Sequence, residues 1–138
     1  MSCCMKKYLR GLRYYGYSDI LDFDKKDFNM LRINEIKRII GHRVSKKKTF
    51  EKGVSSYGLK HIVEAQPESK NGMLGGYISN GELIYAMILL GFDVKRRLET
   101  SNAYFNISCK SLADLSLTQV GGFVNLYSKR YYRNGSVW

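Results

Sequence analysis

Apolar residues recur along this chain with two different periods, and the change from one to the other predicts the fold. Ile33, Ile36, Ile39 and Ile40 fall at helical spacing. They predict a helix that starts near Asp27, a good N-cap type, and ends at Gly41. Arg32, Glu35, Lys37 and Arg38 lie off its apolar face. A second helix is expected from Ser55 or Ser56 to Ala65, with Leu59, Ile62 and Val63 buried and Pro67 as its stop. The third is the best marked. Ser79 and Glu82 have capping-box spacing, Leu83 to Leu90 is apolar nearly all round, and Gly91 with Phe92 supplies the C-terminal signal. Such a helix is central and buried.

The period then drops to two. Phe92 and Val94 alternate with charged residues, residues 99–102 read as a turn, and Ala103, Phe105 and Ile107 alternate on the return. A hairpin over 92–108 is expected. Ser111 and Asp114 stand at capping spacing and predict a fourth short helix over 111–121. A strand over Phe123–Tyr127 and a basic, aromatic tail over 128–138 complete the chain. Three helices followed by a hairpin make an α+β fold, in the order that a winged-helix domain has.

Other segments lack a clear period. Residues 1–17 mix cations with tyrosines and are broken by Gly11 and Gly16, so a short helix or a mobile arm is expected. Asp19, Asp22, Asp24 and Asp27 follow, placed to complement the dipole of the first helix. Residues 42–53 are the densest basic stretch and close on Gly53, which reads as a loop. Residues 66–76 read as a flexible connection. No linker or internal repeat divides the chain, so 1–138 is expected to be one domain, a size with room for a core of its own.

Charge adds the first functional hint. The chain has 23 Lys and Arg against 12 Asp and Glu, a formal net charge of +11. Such an excess attracts polyanions, of which nucleic acid is the commonest. It gathers in four clusters: Lys6–Arg13, Arg43–Lys52, Lys95–Arg97 and Lys129–Arg133. Three lie beside tyrosine or phenylalanine, the mixture that neutralises phosphates and stacks on bases. The expected contact residues are Arg43, Lys46, Lys47, Lys48 and Lys52, with Tyr57 nearby. Lys95, Arg96 and Arg97 in the hairpin and Lys129, Arg130 and Arg133 in the tail join them. Strand alternation would place Lys95 and Arg97 on one face and Arg96 on the other. The third helix offers only Asn80, Glu82 and Tyr85 as polar positions, too few to read a major groove. Backbone contact, or binding to structured or single-stranded RNA, fits better.

Motifs for catalysis or metal are weak. Cys3, Cys4, Cys109, His42 and His61 are the soft ligands, with no CxxC or HxxxH spacing. His61 and Glu64 can pair on a helix surface. GxSxG, Walker and GxGxxG motifs are missing. No enzyme activity, cofactor or metal is therefore expected, and a small metal-dependent nuclease is the remote alternative. The start lacks the apolar stretch of a secretory signal, and no apolar run is long enough to span a membrane. With an odd number of cysteines, a reduced, cytoplasmic protein is expected.

Three stretches carry a resemblance: Ser-Ser-Tyr-Gly-Leu-Lys-His at 55–61, Gly-Tyr-Ile-Ser-Asn-Gly-Glu-Leu-Ile-Tyr-Ala-Met-Ile-Leu-Leu-Gly-Phe at 76–92, and Asn-Ala-Tyr-Phe-Asn-Ile-Ser at 102–108. Over residues 43 to 108 the chain resembles small proteins encoded by bacterial phages and mobile elements. That resemblance implies a regulator, or an anti-CRISPR-type inhibitor that binds a host nucleic-acid-guided defence nuclease. It carries over no site residues. The leading expectation is a non-enzymatic protein that binds DNA or RNA, or a nucleic-acid-bound host complex.

Overall fold

The capping box expected at Ser79 and Glu82 starts the helix on which the rest of the molecule packs. In the computed structural model, which describes residues 3–41 and 43–117, α5 runs Asn80–Leu89. The Ser79 hydroxyl accepts from the Glu82 amide at 3.0 Å, and the Glu82 carboxylate accepts from the Ser79 amide at 2.9 Å. Arg32 donates to both oxygens of Glu82, at 2.7 and 3.1 Å, which pairs a carboxylate that is otherwise fully buried. The helix ends in a Schellman motif. Gly91 takes φ +88, its amide donates to the Ile88 carbonyl, and the Phe92 amide donates to the Met87 carbonyl. Every residue from Asn80 to Ile88 is buried.

Around α5 pack α1 (Cys3–Leu9), α2 (Met30–Gly41), α3 (Ser56–Glu64) and a two-stranded turn of β1 (Leu12–Arg13) and β2 (Gly16–Tyr17). Residues 3–17 are thus a short helix and a tight turn docked on the core through buried Leu9, Leu12 and Tyr17. The first long helix begins three residues later than Asp27. Asn29 is its cap, accepting from the Leu31 amide at 3.0 Å, because the chain first makes a 3₁₀ turn over Lys25–Asp27 that Asp24 caps. The aspartate cluster does not serve the α2 dipole: Asp22 and Asp27 both pair with Arg13. Pro67 does not stop the second helix either. α3 has already ended at Glu64, and Pro67 opens the four-residue α4 (Pro67–Lys70), where its missing N–H is harmless.

The larger sheet contains β3 (Lys46–Glu51), β4 (Val94–Arg96) and β5 (Ala103–Ile107), antiparallel in the order β3-β5-β4. The hairpin expected over 92–108 is β4 and β5. The basic stretch expected as a loop is instead the edge strand β3. Three adjacent lysines hide its alternation, and a register shift between Lys46 and Glu51 breaks it further. Lysine on an edge strand discourages pairing with another chain. Ser56, at the start of α3, accepts the Ala103 amide at 3.0 Å and so ties that helix to the central strand. The last described helix, α6, spans Cys109–Leu117. Ser108, not Ser111, caps it: its carbonyl and hydroxyl accept the amides of Leu112 and Ser111. The expected strand over 123–127 and tail over 128–138 lie outside the described residues. The fold is α+β, with six α-helices and two small sheets among the described residues. None of these helices is long and apolar enough to cross a membrane.

Candidate nucleic-acid interface

Two basic clusters far apart in sequence meet across one cleft. Lys7 and Arg10, at and just after α1, face Lys95 and Arg96 of β4, with Tyr8, Tyr17, Phe50 and Val94 lining the same cleft of about 390 Å³. The positions follow from local structure. Exposed Lys7 and Arg10 flank buried Leu9, so α1 keeps its apolar side on the core and its cations outward. Phe50 comes from the edge strand β3 and Tyr17 from β2, so four segments contribute. Among the described residues, no carboxylate lines this cleft.

Arg96 is the hinge of the site. Its guanidinium lies 4.7 Å from the Tyr17 ring centre and donates to the Ser18 carbonyl at 3.1 Å. Burial holds the Tyr17 phenol well above the usual tyrosine range, so it stays a neutral donor, and its hydroxyl donates to the Tyr8 carbonyl. Tyr8 in turn donates to Asp93 at 3.2 Å. These bonds join α1, β2 and the hairpin in one wall of the cleft.

The sequence-predicted residues divide. Lys95 and Arg96 are in the cleft, and both line it, although strand alternation would put them on opposite faces. Arg97 lies past the end of β4, in the exposed turn beside it, where its amide donates to the Asn102 carbonyl. Lys46, Lys48 and Lys52 are exposed on or next to β3, and Lys46 sits 5.6 Å from the Phe92 ring centre. Two are taken up elsewhere. Arg43 bonds Glu68 and Gln66. Lys47 sits between Glu51 and the buried Cys109 thiol, at 3.4 Å from each; burial works against its charge, but these two partners outweigh it and raise its pKa. Tyr57 belongs to a different cleft, with Tyr14, Tyr15 and Tyr77. Lys129, Arg130 and Arg133 lie outside the described residues. Lys7, Arg10, Tyr8, Tyr17 and Phe50 are site residues that the sequence-based choice omitted. The signal for the N-terminal ones was the run of Lys6, Lys7, Tyr8 and Arg10 just before Gly11; nothing local marked Phe50.

His61 and Glu64 do pair, at 3.0 Å, and Glu64 also binds Lys60. Among the described residues, no three His, Cys, Asp or Glu side chains gather as a metal-ligand group. Comparison with known proteins adds no identity: no family model, curated protein or solved structure matches the chain.

Proposed function

We propose that the protein is a non-enzymatic nucleic-acid-binding module that holds a phosphate backbone in the cleft between α1 and β4. The observation that carries this is the convergence of Lys7, Arg10, Lys95 and Arg96 on one cleft that no carboxylate of the described residues lines. Four cations around an aromatic floor neutralise phosphates and release their counterions. Many other cations of the chain are spent on internal pairs, as with Arg13, Arg32, Arg38, Arg43 and Lys60. These four make no ion pair with a described carboxylate, which leaves their charge for a ligand.

The scaffold supports the same reading. Leaving aside α1, the β1–β2 turn, α4 and α6, the order α2, β3, α3, α5, β4, β5 with the sheet order β3-β5-β4 favours a winged-helix-like reading in which β4 and β5 would be the wing. The helix in the recognition position, α5, is buried on all sides, and the 12–17 turn covers its N-terminal end. Contact would therefore run through the wing and α1, along the backbone, and carry little base-sequence information. The test is fluorescence anisotropy with labelled DNA and RNA across a salt series. Affinity should fall as salt rises from about 50 to about 200 mM, with a log–log slope near −3 for four phosphate contacts. Salt-independent binding, or none at the lowest salt, overturns the proposal.

A further inference from the structure

A second cleft shares the surface with the first, and its chemistry differs. Tyr14 and Tyr15 come from the turn between β1 and β2, Tyr57 from α3, and Tyr77 from the segment before α5. These three separate segments bring four tyrosines around one cleft of about 230 Å³, with Lys60, Ser79, Asn80, Ser101 and Asn102 completing it. All four rings are 41–60% exposed, so their faces are not used up by the core. Exposed aromatics gathered in this way mark a binding surface.

The choice of ligand follows from what already occupies the rings. The Lys60 ammonium stands 5.4 Å from the Tyr57 ring centre and 5.1 Å from that of Tyr77. It is locked there by Glu64 at 2.9 Å and the Ile78 carbonyl at 3.1 Å. A cage already filled by its own cation does not call for a second one, which argues against a methylated ammonium ligand. The His61 ring also packs edge-to-face with Tyr57 at 4.5 Å, and what the four rings together still offer is stacking for a flat, neutral ring. Asn80 adds a polar feature. Its Nδ2 has three acceptors within reach for its two hydrogens, Asn102 Oδ1 at 2.9 Å and the Ser101 and Tyr15 carbonyls at 3.2 and 3.3 Å, which fixes the amide orientation. Its Oδ1 is buried and receives no hydrogen bond from the described residues.

A third hollow neighbours both clefts. An intermediate hollow of about 500 Å³ shares Tyr17 and Arg96 with the basic cleft and Ser101 with the tyrosine cleft. It carries Asp19 and Glu99 beside Arg96 and Arg97. The three hollows are thus neighbours, in the order clustered cations, hairpin turn, clustered tyrosines. We propose that the tyrosine cleft takes an unpaired nucleobase of a single strand whose phosphates lie along Lys7, Arg10, Lys95 and Arg96. The inference rests on the reading of the chain as a nucleic-acid binder and narrows it. A single strand pairs stacking with backbone charge in this way, whereas a duplex keeps its bases stacked on each other.

The test uses the full chain and three ligands of equal length: a single-stranded DNA, a matching RNA and a duplex. A fourth ligand is a single strand made of abasic sugar phosphates. The intact single strands should bind more tightly than the abasic one by about tenfold, the scale of one stacked base. Tyr57→Ala with Tyr77→Ala should remove that margin and leave duplex and abasic binding unchanged. The DNA and RNA arms identify which strand is preferred. Equal affinity for intact and abasic strands overturns the base pocket, and it does so with the native protein, so a folding defect in the variant cannot hide the result. If that outcome comes with salt-dependent binding to all ligands, the backbone reading stands alone. If no ligand binds at the lowest salt, both fall.

Discussion

Arg96 stacks on Tyr17, with its guanidinium carbon 4.7 Å from the ring centre, and this contact links the hairpin to the N-terminal segment. The same arginine lines both the basic cleft and the hollow beside it. Arg96→Ala should therefore have two effects where Arg97→Ala has one. It should lower stability by about 1–2 kcal/mol, from the lost ring contact and hydrogen bond, and it should weaken nucleic-acid binding. Arg97→Ala should weaken binding and leave stability within about 0.5 kcal/mol. Urea unfolding and anisotropy on the same two variants check this. Equal stability of the two would mean that Arg96 does not brace the cleft.

Gly81 inverts the usual rule for helices. Alanine is normally favoured over glycine in a helix, by about 1 kcal/mol in the interior and by less in the first turn, where Gly81 lies. At this position, however, a Cβ would collide with the backbone carbonyls of Arg13 and Tyr14, and the Gly81 amide donates to the Tyr14 carbonyl at 2.9 Å. Gly81→Ala should destabilise the protein and push the 12–17 turn off α5. Amide exchange should then rise at Gly11, Tyr17 and Ser18, whose amides are hydrogen-bonded in the native turn region. A stabilised Gly81→Ala variant would contradict the packing described.

Glu82 serves two roles, capping α5 and pairing with Arg32. Glu82→Ala should cost on the order of 3 kcal/mol, since it strips a buried ion pair and the capping box together. Ser79→Ala should cost about 1 kcal/mol, the loss of a cap alone. Comparing urea midpoints separates the two. Similar losses would mean that Arg32 adds little.

Stability should fall in alkaline solution because of Tyr17. Its folded-state pKa is raised by burial, so its contribution is complete below the unfolded tyrosine value of about 10. As pH rises above that value the unfolded chain loses the proton while the folded one keeps it, and stability is lost. Burial acts in the same direction on Tyr14 and Tyr85. Tyr17→Phe should lower stability at neutral pH, by leaving the Tyr8 carbonyl short of its donor, yet make the alkaline decline shallower. Urea midpoints from pH 8 to about 11 measure both. An unchanged alkaline slope would show that Tyr17 ionises freely.

Local signals in the sequence led to local structure. Ser79 with Glu82 and Gly91 with Phe92 mark both ends of α5, because caps involve residues three or four apart. The alternation of Val94 and of Ala103, Phe105 and Ile107 marks the hairpin for the same reason. β3 was hidden because its pairing partners, Phe105 and Ile107, lie far along the chain, and nothing within 46–51 alone reveals the register shift. Asp27 misled because the 3₁₀ turn it closes also uses a capping aspartate. The candidate site was only half legible. Lys95 and Arg96 could be chosen from their charge. Their meeting with Lys7 and Arg10, or the union of Tyr57 with Tyr14, Tyr15 and Tyr77, depends on tertiary packing that no short-range pattern encodes. Arg43 and Lys47 look as free in sequence as Lys48 does, but Glu68, Glu51 and Cys109 claim them.

Position, not total charge, is the core of the account, and one comparison tests it. Arg10→Glu with Lys95→Glu reverses two charges in the cleft. Lys26→Glu with Lys70→Glu makes the same change in net charge at exposed sites that line none of the three hollows. Binding of a labelled single strand to both variants, at about 50 mM salt, should fall about tenfold or more for the cleft pair and far less for the control pair. Equal losses would show that the excess of +11 acts as a diffuse field and that the cleft between α1 and β4 is not the binding site.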